Sequence, residues 1–407
     1  MKKRKLKKWV VFIFVILFLL AIYLIYLLFL SSLKINAKDA TIPVNGKYEE
    51  KVTATFFKKD ISNKIKTDKK VNTKQIGIYK IKYSVTYLIF KKSKTIKVEV
   101  KDNTKPKITL KDADKVFYAL GTEYKEKGFS ATDDIDGDIT NKVKVTNNID
   151  KNKEGTYEAT YTVKDKAGNI GTKKRTVIYT QKNTKGIAVL NYHFFYDPTL
   201  GEECNEGNCE IVSDFRKQLD YLKDNNYKTL SMEEFRDWMY GKIDIPEKSV
   251  LITVDDGAKG TGKHNGDKLN PLLNEYQMHA TLFLITGWWD IKNYESYYLD
   301  IESHTNDMHT SNVCKTESRG AKMLCSSNDY VMKDLKKSQE ITKSKMAFCY
   351  PFYAYNETSN RQVKEAGFEL AFIGGGTKAT QKVDKWHIPR YQIVKTTSLE
   401  RFIKIVS

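Results

Sequence analysis

Ser249-Val250-Leu251-Ile252-Thr253-Val254-Asp255-Asp256-Gly257 is the stretch from which the rest of the chain can be read. Its first six residues are apolar or β-branched at strand length, the composition of a strand buried on both faces. Two carboxylates and a glycine follow, so the acids stand where a buried strand runs out into a loop. Strand ends are where α/β enzymes keep their chemistry. Further on comes His304-Thr305-Asn306-Asp307-Met308-His309.

A zinc-type hydrolytic site needs about three protein ligands of the His and carboxylate kind, with one position open to water. Asp256, His304 and His309 supply that set. Asp255 is then free to act as a base, because one carboxylate on the cation leaves its neighbour available for a proton. The five-residue step between the histidines puts them on a common face of neither a helix nor a strand, so they straddle a strand end and the loop after Ile301-Glu302-Ser303. Singly, Asp-Asp-Gly reads as a turn and each histidine as a surface residue. Jointly they read as a mononuclear site for one divalent metal, zinc first, with cobalt or nickel as alternatives.

Apolar strand-like runs near 187–192, 249–254, 280–286, 299–303, 346–350, 368–373 and 387–393 alternate with helix-like stretches such as Ser213 to Asn225 and Asn328 to Thr342. Such alternation predicts a parallel α/β barrel, and residues 186–407 suffice for one.

Here the chain resembles the polysaccharide deacetylases, the NodB-homology group of carbohydrate esterases, from about Gly186 to the C-terminus. Thr253 to Gly257 matches the family's first motif, with Val254 for the usual phenylalanine. His304, Thr305 and His309 match the second, one residue longer than the usual spacing. The longer form is similar to the branch that deacetylates the poly-N-acetylglucosamine of bacterial biofilms. The resemblance implies a distorted (β/α) barrel of about seven strands, the site residues on its C-terminal rim, and metal-dependent N-deacetylation of an N-acetylglucosamine polymer, exopolysaccharide or peptidoglycan. Its third motif, Arg-Pro-Pro-Tyr-Gly, falls on Cys349-Tyr350-Pro351-Phe352-Tyr353. By the resemblance, Tyr350 and Pro351 line the groove and the Phe352 amide serves the oxyanion, a task that needs no particular side chain. Cys349 stands in place of the arginine and Tyr353 in place of the glycine; Arg390, in Ile388-Pro389-Arg390-Tyr391, is the candidate cation beside Asp255. The family's closing Leu-x-x-His has no counterpart from Ser398 to Ser407, yet Leu190-Asn191-Tyr192-His193 has the pattern, and in the biofilm branch this motif is permuted to the front. His193 is therefore the candidate general acid. His264 and His279 read as structural or exposed. Trp386, beside His387, reads either as a groove aromatic stacking on sugar or as a packed core residue.

Ahead of the barrel, Lys2, Lys3, Arg4, Lys5, Lys7 and Lys8 precede an uncharged apolar run from Trp9 to Leu30, long enough to span a bilayer core. Residues 1–8 read as a cytoplasmic tail and 9–30 as a single-pass plasma-membrane anchor with the remainder outside. A signal peptide cut after Ile35-Asn36-Ala37 is the rival, but the run exceeds the usual apolar length. Between anchor and barrel lies a repeat. Gly77-Ile78-Tyr79-Lys80-Ile81-Lys82-Tyr83-Ser84-Val85 overlays Gly155-Thr156-Tyr157-Glu158-Ala159-Thr160-Tyr161-Thr162-Val163, and Asp60 to Ile65 overlays Asp138 to Val143 at the same offset. Both copies, 31–104 and 105–181, alternate apolar and polar residues as strands do, and resemble bacterial immunoglobulin-like surface domains. Asp133, Asp134, Asp136 and Asp138 of the second form a candidate calcium cluster, with a solvated turn as the alternative.

The formal charge is +19. Six of those positive charges belong to the tail, which leaves a surplus outside suited to an anionic wall polymer or lipid surface. The anchor argues against nucleic acid as partner. Cys204 with Cys209, and Cys314 with Cys325, are spaced for two short-loop disulfides, leaving Cys349 over. Two further readings stand beside the deacetylase: a glycan-binding adhesin with a degenerate barrel, and an O-deacetylase of wall or plant polysaccharide.

Overall fold

The structure, a computed structural model, describes residues 7–315 and 317–407; the basic tail up to residue 6 lies outside them. The chain divides into two compact units. One runs to Lys107 and includes Ala131–Val143 and Val163–Gly171; the other holds Ile108–Ser130, Lys144–Thr162 and Thr172–Ser407.

In the first unit, helix Lys8–Ser32 buries no residue and is long and apolar enough to cross a membrane. It leads directly into strand Leu33–Asn36, which pairs with Thr53–Phe56. A four-stranded sheet runs in the order Ala40–Pro43, Phe90–Lys101, Gly77–Tyr87, Ile65–Thr67. The period of two decides what this sheet buries. Ile81, Tyr83 and Val85 join Leu33, Ile35, Phe56, Ile96 and Val98 in one core, while Lys80 and Lys82 face out. In the second repeat, Ala159, Tyr161 and Val163 are buried at the equivalent positions, on a strand between Lys144–Asn147 and Ile170–Thr180.

The second unit carries a curled, wholly parallel sheet. Its order is Leu370–Phe372, Ala347–Cys349, Leu299–Ser303, Ala280–Leu284, Ser249–Asp256, Ala188–Tyr192, Tyr391–Gln392, with Lys228–Thr229 paired to the start of Ser249–Asp256. A parallel bridge from Phe372 to Ile388 brings the two ends of the sheet together. Each expected strand appears. The last is shorter than the apolar pattern suggests, because Pro389 has no N–H for a ladder and Arg390 turns inward. Helices Val212–Asp224 and Asn328–Thr342 flank the sheet.

The pleat sorts the site before any loop is considered. Leu251 shares a core cluster with Phe283, Cys349, Phe372 and Ile388, whereas Val250, Ile252 and Val254 pack with Phe215, Leu219 and Phe402 on the other face. Asp255 therefore follows Leu251 and Thr253 into the sheet's concave interior, at the carboxyl end of a strand buried at every residue.

Candidate active site

His193, Asp255, Asp256, His304, His309 and Phe352 line one cavity of about 370 Å³ with Gly207, Asn208, Arg319, Tyr353 and Gln392. Each of the first four lies at or just past the end of a parallel strand. The Cys204–Cys209 and Cys314–Cys325 disulfides close the loops that carry Asn208 and Arg319, and Cys349 is free and buried.

Asp256 has φ 77°, a left-handed turn that ends the strand and swings its carboxylate away from its neighbour's. Its Oδ1 lies 3.4 Å from His304 Nε2 and 3.2 Å from His309 Nε2 and is otherwise buried without a hydrogen bond. One ligand atom from each of the three falls within 4.8 Å of the others. His304 Nδ1 is 2.8 Å from the Cys349 carbonyl. A carbonyl only accepts, so Nδ1 carries the proton and Nε2 is turned to the site. Burial alone would lower His304, but Cys349 and Asp256 hold it well above the ordinary histidine value; burial and the His304 charge push His309 down to about 4. Asp256, His304 and His309 offer a carboxylate and two imidazole nitrogens at one place, which would suit a divalent cation once His304 Nε2 is free of its proton. The donor set fits such an ion.

Burial would raise Asp255, yet Arg390 keeps it well below the carboxylate range. The guanidinium donates to both oxygens, at 2.7 and 2.8 Å, and to Thr253 Oγ1 at 3.2 Å. Arg390 thus brings to this carboxylate the cation that Cys349 does not supply; the Cys349 thiol donates to Asp255 Oδ2 at 3.5 Å and its Sγ lies 2.9 Å from Arg390 Nη2. Phe352 and Tyr353 both have φ 58°, which is where a glycine is cheapest. Tyr353 is held there by donating to Asn191 Oδ1 at 2.6 Å and by packing its ring under Arg390 at 5.5 Å. The Leu190-Asn191-Tyr192-His193 phrase and the divergent third motif are thereby joined. His193 Nε2 stands 3.9 Å from Asp255 Oδ2, with burial lowering its pKa against the opposing pull of Asp255.

The flanking residues named from sequence fare differently. Leu190 is fully buried core, and its carbonyl accepts from Thr253 Oγ1 at 2.7 Å. Thr305, also fully buried, accepts from the Met308 amide at 3.2 Å and shapes the histidine loop. Tyr350 and Pro351 are buried and are not among the residues that line the cavity. Trp386 is not brought to the cavity: its Nε1 donates to the Phe368 carbonyl at 3.1 Å, Lys364 lies 4.4 Å over its ring, and it packs on the Phe348 and Phe368 cluster. Of the acidic run in the second repeat, Asp134 and Asp138 are exposed, Asp136 pairs with Lys166, and Asp133 is the one that meets other carboxylates. The four do not form one cluster.

One positioning residue had no signal in the sequence. Asp334, on helix Asn328–Thr342, accepts the amides of Asn306 and Asp307 at 2.8 and 2.7 Å and so pins the loop between the two histidines. Asp334→Ala is expected to weaken metal affinity by about 10- to 100-fold while the chain stays folded, measured by competition with a fluorescent chelator; unchanged affinity would refute the role.

Residues 242–371 match the polysaccharide deacetylase family, and residues 34–100 and 108–178 each match the bacterial surface protein Ig-like domain. The poly-beta-1,6-N-acetyl-D-glucosamine N-deacetylase of Staphylococcus epidermidis is 29% identical over 211 residues, spanning 47% of this chain and 70% of that protein. Its Staphylococcus aureus counterpart is 27% identical over 212 residues, with the same two coverages. Among solved structures, the Streptococcus pyogenes deacetylase PplD in complex with acetate aligns at TM-score 0.45 and 20% identity, over 55% of this chain and 98% of that one.

Proposed function

We propose that this chain, whose C-terminal domain is a polysaccharide deacetylase domain behind two immunoglobulin-like domains, removes acetyl groups from the N-acetylglucosamine units of a polymer outside the cell. The observation that carries the proposal is the division of the Asp255-Asp256 doublet. Asp256 converges with His304 and His309 while Asp255, one residue away, is locked on Arg390. Adjacent carboxylates with opposite surroundings are suited to different roles.

Asp256, His304 and His309 would hold the ion, with zinc favoured and cobalt or nickel as alternatives. When bound, it supplies Lewis acidity toward the acyl oxygen and water. Asp255, kept ionised by the Arg390 guanidinium, would take the proton of the attacking water. His193, whose Nε2 stands 3.9 Å from Asp255 Oδ2, would protonate the departing amine and be recharged by the proton taken from water. The Phe352 amide is the candidate oxyanion donor. Poly-N-acetylglucosamine is the favoured substrate, on the names of the staphylococcal relatives; peptidoglycan is the alternative.

The segments proposed are a tail (1–8), an anchor (9–30), two immunoglobulin-like spacers (31–104 and 105–181) and the deacetylase (186–407). An uncleaved anchor is supported by the strand that follows it. Leu33 and Ile35 are core residues of the first immunoglobulin-like sheet, so a cut after Ala37 would remove one of its strands. The anchor would leave the catalytic domain facing a wall whose anionic polymers suit the basic surface.

Full-length protein in detergent, loaded with zinc, cobalt or nickel, is expected to release acetate from poly-N-acetylglucosamine faster than from chitin oligomers, peptidoglycan or O-acetylated xylan. Dipicolinate should abolish release and added metal restore it. A folded, metal-loaded sample that releases none from any of them would favour the adhesin, and preference for xylan the O-deacetylase.

A further inference from the structure

We propose a second cation site, for a hard divalent ion of the calcium kind, formed by Asp102, Asp133 and Asp165. Asp102 follows strand Phe90–Lys101 at the end of the first repeat, Asp133 closes strand Phe129–Asp133, and Asp165 follows strand Gly155–Lys164. One carboxylate oxygen from each lies within 4.8 Å of the others, and the three residues are only 6%, 7% and 5% exposed. Among the described residues no lysine, arginine or histidine pairs with any of them; Lys166, next in sequence, turns to Asp136.

The second observation is an oxygen with nothing to accept. Asp133 Oδ1 takes the amides of Ile135 and Asp136, both at 2.9 Å, whereas Oδ2 is buried with no donor among the described residues. Asp102 Oδ1 is occupied by Thr104 N and Oγ1, at 2.9 and 2.6 Å. Asp165 Oδ1 is occupied by the amides of Gly168 and Asn169, at 2.6 and 2.7 Å, and Oδ2 by Asn169 Nδ2 at 2.8 Å. These bonds orient the carboxylates without neutralising them. Three like charges this close in a poorly solvated pocket repel, and a cation among them turns the repulsion into attraction. With no histidine or thiolate in the set, the donors are all hard oxygens, which select calcium over zinc.

The repeat provides an internal control. Thr55 and Tyr87 occupy the first copy's positions equivalent to Asp133 and Asp165, and that copy closes its hairpin through Leu88-Ile89 instead of the Asp165–Asn169 loop. The fold thus stands without the carboxylates. They gather only where the end of one copy meets two loops of the next, and an ion there would tie those three segments together.

The test is equilibrium dialysis of calcium-45 against full-length protein stripped with a chelator and refilled with zinc, beside thermal unfolding in calcium and in EGTA. Expected are one calcium per chain, a dissociation constant of about 10⁻⁴ M, and a higher unfolding midpoint in calcium. Asp133→Asn and Asp165→Asn should each weaken binding by about tenfold or more, Asp134→Asn should leave it unchanged, and acetate release should be the same in all of them. No binding at millimolar calcium, or binding that survives both inner substitutions, overturns the site. Should Asp133→Asn fail to fold, a parent midpoint that is identical in calcium and EGTA overturns it equally.

Discussion

Arg390→Met is expected to cut acetate release at neutral pH by about a hundredfold or more and to destabilise the catalytic domain by about 3–5 kcal/mol. The guanidinium spans both oxygens of Asp255, and Asp255 is 1% exposed, so its removal strands a buried carboxylate rather than deleting a surface ion pair. The sign of the pH dependence follows. In the parent, Arg390 holds Asp255 below its unfolded value of about 3.9; the resulting stability is complete above that value and is lost only as pH falls through the depressed folded one. Between pH 5 and 8 the parent should therefore show no change from this group. In the variant, burial dominates and lifts the carboxyl, so stability is greatest at acid pH and lost as pH rises through the raised folded value. The acid limb of the rate profile should move up with it. Arg390→Lys keeps a charge but not the two-pronged contact and should fall between. A methionine variant with the parent's midpoint and profile would remove Arg390 from the account.

Asp256→Asn is expected to reduce bound metal from about one per chain to near zero and to lower turnover by about a thousandfold or more, an estimate from the size of general metal contributions to hydrolysis. Asparagine tolerates the left-handed backbone at this position better than most residues, so the substitution tests the ligand rather than the turn. Asp255→Asn is the matched control. It should retain the metal and still lose about 10²- to 10⁴-fold in turnover. Metal content by mass spectrometry beside acetate release separates the two. If both variants lose metal alike, or both keep it, the doublet does not divide its roles as proposed.

Much of this could be read along the chain because it depends on local pattern. The eight-residue buried strand announces itself by composition, and the loop carrying His304 and His309 by a spacing that suits neither helix nor strand. Arg390 was legible only as a suspicion, raised by Cys349 standing where a cation was expected. Asp334 was not legible, since one aspartate on an amphipathic helix looks like any other solvated charge. Trp386 could be read from sequence either as a sugar platform or as a packed core residue, and its N–H, bonded to the Phe368 carbonyl, selects the second. The acidic run from Asp133 to Asp138 left a calcium cluster and a solvated turn both open, and local sequence could not choose between them. Neighbours in sequence at a turn diverge, while Asp102 and Asp165, far from Asp133 in the chain, converge on it.

By itself the sequence determined the apolar N-terminal helix, the strand repeat, the parallel sheet and the doublet at its edge, because hydropathy, periodicity and turn residues act over a few neighbours. Only the tertiary structure decided which carboxylate meets Arg390 and which meets the histidines. That choice rests on the pleat of one strand and the left-handed turn at Asp256, together with contacts between residues more than a hundred positions apart. Chain order carries no record of such adjacency; packing creates it.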